Sequence, residues 1–251
     1  MTSVKSILNC MGSGTGSLLR HLFGFIRSRV PTDPDTSVRA EVSVLRQVRA
    51  MQSDHIHINV IHVGFDAIPG DLDEEEEKID YAIYRTRNAY APIGLGVGRV
   101  QHYVISAAES DGMDDLGSED EADDLIAAWS VPNEAVDAFV VRNISSDTFV
   151  GKAADIPGSC NKRSGKDGVV AGEIGRDSES FSRTFAHEIG HHLGLFHTHG
   201  DDCPGNSNGC NNLMAQTRCA KSCGDGVRKA MLLTTAQGNT MRSHCAVRNG
   251  C

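Results

Sequence analysis

Hydrophobic and polar positions alternate along parts of this chain with a period of two and along others with a period of three to four. His55 to Val63 (HIHINVIHV) alternates His and Asn with Ile and Val, which is the pattern of a half-buried strand with histidines on its polar face. Residues 38–52 (VRAEVSVLRQVRAMQ) instead repeat apolar residues at helical steps. The same two periods locate the elements further along the chain.

The predicted elements alternate between strands and helices. After the first strand we expect a helix from Glu74 to Tyr90, a strand near 97–106, a helix from Glu119 to Trp129, strands at 135–144 and 168–175, and a long helix capped by Asp177 or Ser178. This order predicts an α/β fold with a twisted, mostly parallel sheet.

Four histidines lie in HEIGHHLGLFH, at the end of the long predicted helix. His187 and His191 are one helical turn apart, about 40° around the axis, so both imidazoles can reach one ion. Glu188 lies about 100° from His187 and can therefore lean over the ion without occupying a ligand position. That placement suits a general base that acts on a water activated by the metal.

A third ligand is expected just beyond the helix. Gly194 can end the helix at a positive φ, and the resulting turn would return His197 as a third nitrogen ligand. Three imidazoles leave one position for water, which is the arrangement of a catalytic zinc site. His199 is the alternative third ligand. His192, about 140° around the axis from His187, is expected at the surface or behind the ligands and not on the metal.

These residues resemble the metzincin metallopeptidases, whose motif HExxHxxGxxH is matched by His187, Glu188, His191, Gly194 and His197. The resemblance implies a zincin fold and a zinc endopeptidase whose substrate lies as an extended strand along a sheet edge. We expect that edge within Gly165 to Gly175. The family also has a methionine turn beneath the zinc, and NNLMAQT with Met214 is similar to it.

Within the metzincins, the closest similarity is to the pappalysin-like (cytophagalysin) group. His197–Thr198 and the later LLTTAQGNTMRSHC resemble that group, and Thr234 and Gln237 also form a capping box for a final helix. One residue departs from the pattern. Several metzincins have a tyrosine two residues after the methionine, and here that residue is Gln216, so the tyrosine's role is either vacant or filled by an amide donor.

Two other functions are compatible with the same residues. The first is a secreted zinc-containing binding protein on a metzincin scaffold without proteolytic activity, and the missing tyrosine supports it. The second is a zinc hydrolase that acts on a small amide. Glu188 favours the endopeptidase over the binding protein, because a non-catalytic protein has no need of this carboxylate.

Six of the eight cysteines lie in residues 203–251. We expect them, with Cys160, to form disulfides in a small C-terminal subdomain, and this cysteine usage predicts a secreted protein. The CxxxC of Cys219 and Cys223 is the alternative metal pair. Cys10 is the odd cysteine, and the hypothesis for it is a latency switch in which its thiolate binds the zinc.

The predicted domain organisation has two parts. Residues 1–37, which end in the linker PTDPDTS, form an N-terminal extension or pro-segment. Residues 38–251 form the catalytic domain, divided into subdomains 38–197 and 198–251.

Net charge and hydropathy limit the partners. The chain has a formal net charge of −9, much of it in two acidic runs, and no basic cluster, which argues against nucleic acid. No segment is apolar for long enough to cross a membrane. We expect a monomer, and the metzincin resemblance implies protein or peptide substrates. Calcium binding by the Asp and Asn residues of 200–212 is a weaker alternative, because their spacing matches no EF-hand loop.

Overall fold

The computed structural model describes residues 50–68, 73–172, 177–199, 203 and 207–250, and the structural statements below concern these residues. The predicted extension 1–37, Cys10, Cys251, most of the predicted helix 38–52 and six of the thirteen residues of the candidate calcium loop 200–212 lie outside them.

Seven strands form two sheets. In chain order they are β1 (His55–Val63), β2 (Gly96–Ile105), β3 (Asp115–Leu116), β4 (Val136–Val141), β5 (Asn143–Ile144), β6 (Gly151–Ala153) and β7 (Val169–Ala171). The main sheet has the order β2-β1-β4-β7-β6, and β3 pairs with β5 in a separate two-stranded sheet. All pairs in the main sheet are parallel except β6 with β7, which confirms the predicted mostly parallel sheet.

Three long helices cover the sheet. They are α1 (Asp73–Tyr90), α2 (Glu119–Trp129) and α3 (Ser178–His192), and the shorter α4 (Ser207–Cys210), α5 (Ala220–Cys223) and α6 (Thr235–Arg242) follow. Apolar side chains of α1 and α3 pack on one face of the sheet, and those of α2 pack on the other. The result is the predicted α/β fold, and α3, which bears His187, His191 and His192, packs against the larger core.

The predicted polar face of β1 was wrong. His55 and His62 are buried, and nearly every residue of the strand is inaccessible to solvent. The reason is topological, because β1 lies between β2 and β4 and helices cover both faces of a largely parallel sheet. The strand's histidines are hydrogen-bonded within the fold: Nε2 of His62, for example, lies 2.9 Å from Nδ1 of His102.

Among the described residues, three disulfides stabilise the C-terminal part, in agreement with the predicted disulfide-rich C-terminal subdomain. They join Cys160 to Cys245, Cys203 to Cys219, and Cys210 to Cys223. Cys219 and Cys223 therefore have different partners and do not form a metal pair. The final helix α6 begins with the predicted capping box, in which Thr234 and Gln237 satisfy each other's backbone N–H groups. Among the described residues, no helix is both long and apolar enough to cross a membrane.

Candidate metal centre

Helix α3 positions the central residues of the site. The side chain of Asp177 accepts hydrogen bonds from the backbone N–H groups of Glu179 and Ser180 and so caps the helix start. Phe181, Phe185 and Ile189 are fully buried in the core and fix the rotation of the helix. The face with His187 and His191 is thereby turned toward the C-terminal part of the chain.

The helix ends where the sequence predicted a turn. Gly194 has a φ of 95°, a left-handed conformation that glycine adopts without a steric penalty. Its N–H donates to the carbonyl of His191, and the N–H of Leu195 donates to the carbonyl of Gly190. The chain reverses at this turn and brings His197 back to the helix.

Three histidines converge at one point. Nε2 of His197 lies 3.2 Å from Nε2 of His187 and 3.2 Å from Nε2 of His191. The three form a group whose candidate ligand atoms all lie within 4.8 Å of one another. The structure thus brings together the three histidines that the motif singled out.

The hydrogen bonds of the outer ring nitrogens fit a metal site. Nδ1 of His187 lies 2.7 Å from the carbonyl oxygen of Leu213, and Nδ1 of His191 lies 2.6 Å from that of Leu195. A carbonyl oxygen only accepts, so each Nδ1 holds the ring proton and each Nε2 lone pair faces the centre. This tautomer is the one that binds a metal through Nε2.

The electrostatic surroundings keep these rings neutral. Burial, with the positive charge of Arg183 nearby, lowers the pKa of His187 well below its usual value. Burial also lowers the pKa of His191 to about 4 and reduces the pKa of His197. Neutral imidazoles are the form that binds a metal ion.

The other two histidines of this segment lie apart from the group. His199 is exposed, and its Nδ1 hydrogen-bonds to the hydroxyl of Thr198. His192 was expected at the surface or behind the ligands, and the surface alternative was wrong, because this side chain is fully buried. Its Nε2 lies 3.7 Å from Oδ1 of Asp167, on the side of α3 that faces the sheet and the loop at Gly158.

Glu188 lies between α3 and the sheet edge. The side chain is 6% exposed, and a Cβ placed on Gly151 of β6 would lie only 2.8 Å from its Cγ. Glycine at 151 is what lets the strand approach so closely. Glu188 is also near Tyr90, whose pKa is raised well above its usual value by burial and by the negative charge of Glu188.

The methionine turn packs beneath the histidines. Met214 is fully buried, and its Sδ would lie 3.0 Å from a Cβ placed on Gly190 of α3. The turn is stabilised by Arg183, a residue that the motif search missed. Its guanidinium donates to the carbonyls of Leu213, at 3.0 Å, and Ala215. Arg183 lies four residues before His187 on the same helix face, and this spacing is the sequence signal that could have identified it.

In the part of the chain that the structure describes, the edge strand beside the site is β6, and the strand in the expected interval Gly165 to Gly175 is the internal β7. In that interval, β7 pairs with β4 on one side and β6 on the other, so its backbone is already hydrogen-bonded. β6 pairs antiparallel with β7 and ends the sheet order. β6 therefore has an unpaired outer edge in this sheet, and its Gly151 packs against Glu188.

Comparison with known families agrees with this geometry. A family model described as metallo-peptidase family M12 matches residues 66–243, a span that includes the three histidines, Glu188 and Met214. The chain belongs to metallopeptidase family M12. Membership in family M12 makes the protein a zinc-dependent metallopeptidase, and the described α/β architecture is its zincin fold. No curated protein matches the chain.

Solved structures similar to this M12 family member include two metallopeptidases. Archaemetzincin from Methanopyrus kandleri is 16% identical with a TM-score of 0.44, and the match covers 74% of this chain and 94% of the archaemetzincin chain. Metalloproteinase-II from Bacteroides fragilis is 16% identical with a TM-score of 0.46, and the match covers 77% of this chain and 53% of that one. The M12 assignment rests on the family model.

Proposed function

We propose that this protein is a zinc endopeptidase that hydrolyses internal peptide bonds of protein substrates. His187, His191 and His197 are the proposed ligands, and Glu188 is the proposed general base. The observation that carries the proposal is the convergence of three Nε2 atoms, two pairs of them 3.2 Å apart, with the outer nitrogens of His187 and His191 held by carbonyl oxygens.

Each proposed residue has a separate task. When bound, zinc supplies Lewis acidity that lowers the pKa of water and polarises the scissile carbonyl. Glu188 takes the proton from the attacking water and passes it to the leaving amine nitrogen. The position of Glu188 supports this task, because it directly follows the proposed ligand His187 on α3 and is not a member of the three-histidine group.

The edge of β6 is the proposed binding surface for the peptide. A substrate that lies extended along Gly151–Ala153 would add a strand through main-chain hydrogen bonds. Gly151 of this strand packs against Glu188, so a peptide on the strand's outer edge would lie beside the site. Recognition through the main chain suits an enzyme that cleaves within a polypeptide.

The subgroup within the metzincins, the secreted location and the division of the catalytic domain are also proposals. His197–Thr198 and the LLTTAQGNTMRSHC segment support the pappalysin-like group. Three disulfides support a secreted protein, because such bonds persist in oxidising compartments. The turn at Gly194 supports a division of the catalytic domain after residue 197.

The test of the proposed function is zinc removal and return. We expect one zinc per chain and cleavage at internal bonds of a mixed peptide library, read by mass spectrometry. Dialysis against a chelator should abolish cleavage, and one equivalent of zinc should restore it. Zinc binding without cleavage would favour the binding protein, and products trimmed only at their ends would favour an exopeptidase.

A Gly151→Ala variant tests the close approach of β6 to Glu188. The added Cβ would meet Cγ of Glu188 and Cγ2 of Thr184, each at 2.8 Å, so the carboxylate must shift. We expect kcat to fall by about tenfold or more, since small displacements of catalytic groups are costly. Zinc content should not change. Gly226→Ala is the matched control, because nothing lies within 4 Å of its Cβ position.

A further inference from the structure

Gln216 lies where several metzincins have a tyrosine, and the structure gives it a specific neighbour. Its amide nitrogen is 2.7 Å from Nδ1 of His197. Its Oε1 atom is buried and has no hydrogen-bond partner among the described residues. A buried amide oxygen without a donor is costly, and the opposite orientation of the amide would place this oxygen next to Nδ1 of His197.

The two ends of a glutamine amide have the same shape, and a rotation of 180° exchanges them. If the nitrogen faces His197, Nδ1 must accept and the ring proton lies on Nε2, the atom that points at His187 and His191. A protonated Nε2 does not bind a metal. If Oε1 faces the ring, Nδ1 donates to it, the buried oxygen gains its donor, and the Nε2 lone pair is free to face the centre.

His187 and His191 already have the second arrangement, in which Nδ1 faces an oxygen acceptor. Nδ1 of His187 and Nδ1 of His191 face the carbonyl oxygens of Leu213 and Leu195. An acceptor from Gln216 would complete a set of three. Of these acceptors only Gln216 is a side chain, so it is the one that a substitution can remove without changing the backbone.

We propose that Gln216 is a positioning residue of the zinc site: its Oε1 accepts from Nδ1–H of His197 and fixes the ring's tautomer and orientation. This inference rests on the proposed function. It replaces the expectation of a vacant role or an amide donor, because Gln216 acts as an acceptor and on a ligand instead of on the substrate.

Two substitutions distinguish whether the Gln216 side chain accepts a hydrogen bond from His197 or donates one to it. Gln216→Leu removes both capacities, and we expect it to weaken zinc binding by about 10- to 100-fold, as removal of such outer hydrogen bonds does in other zinc sites. Gln216→Glu keeps only acceptors, and its zinc affinity should stay within about threefold of the wild type or exceed it. Zinc dissociation constants are measured by competition with a chromophoric chelator. Gln101→Leu, at a half-buried position on β2, is the matched control.

Further measurements report on the ring tautomer, the metal surroundings and the fold, and the first of them needs no variant. In the metal-free wild-type protein, long-range ¹H–¹⁵N NMR of labelled histidine should show His197 protonated at Nδ1. The visible absorption of the cobalt-substituted protein should change in Gln216→Leu and be retained in Gln216→Glu. Thermal unfolding of each metal-free variant checks that the fold is intact.

Several results would overturn the inference. Zinc affinity of Gln216→Leu equal to that of the wild type would do so, as would a Gln216→Glu variant as weak as Gln216→Leu. An Nε2–H tautomer of His197 in the wild type would also do so, and this measurement decides even if Gln216→Leu fails to fold. A wild-type protein that binds no zinc would instead overturn the proposed function itself.

Discussion

A Glu188→Gln variant is expected to lose peptide hydrolysis by a factor of about 10² to 10⁴ while it keeps one zinc per chain. Glutamine has nearly the same shape as glutamate, so the close packing against Gly151 is preserved. The amide cannot accept a proton from water. The loss should therefore be in kcat with little change in KM, because the carboxylate is proposed to act on the water and not to bind the peptide.

The measurement is cleavage of a fluorogenic peptide chosen from the library products, together with zinc content by mass spectrometry. Glu76→Gln, an exposed position on α1, is the control for loss of one negative charge. Full activity of Glu188→Gln would remove the general-base mechanism. Loss of zinc along with activity would instead show that Glu188 contributes to metal binding.

The second large effect is expected from His197→Ala. Removal of one of three imidazole ligands should weaken zinc binding by more than the 10- to 100-fold that loss of an outer hydrogen bond costs, so we expect a decrease of at least about 10²-fold. After dialysis the variant should retain almost no zinc and show no cleavage. His197 is the best of the three to replace, because it is only half-buried and follows α3 instead of lying within it.

His199→Ala is the matched control for this experiment. It removes an exposed imidazole two residues away, whose Nδ1 hydrogen-bonds to the neighbouring Thr198 hydroxyl. Zinc content and activity should stay at the wild-type level. If His199→Ala lost the metal and His197→Ala kept it, the ligand assignment would have to be exchanged between the two residues.

Local periodicity was enough to predict most elements. The helix Glu119–Trp129 was predicted with the bounds it has, and the helix from Glu74 to Tyr90 differs by one residue. These segments have strong helical or strand periodicity and clear capping residues. Strand β6 was missed, because three residues with the sequence GKA have no periodicity to detect. Its existence depends on β7, with which it pairs.

The error on β1 has a related cause. Its alternation of His with Ile is the same whether one face or both faces are covered, so the sequence could not distinguish an edge strand from a central one. The structure places β1 between β2 and β4, and the histidines are buried as a result. The sequence also could not decide between the surface and the back of the site for His192. The loop at Gly158 that covers this side chain is distant in sequence.

The sequence by itself determined the arrangement of the candidate site residues along α3 and at the turn that follows it. The spacing of His187, Glu188 and His191 and the glycine at 194 act through the period of one helix and the φ of one residue, which are local properties. Only the tertiary structure decided which atoms hold the outer ring nitrogens and which strand borders Glu188. Those contacts join residues up to 37 positions apart, from Gly151 to Glu188, and depend on how the sheet, helix and methionine turn pack together.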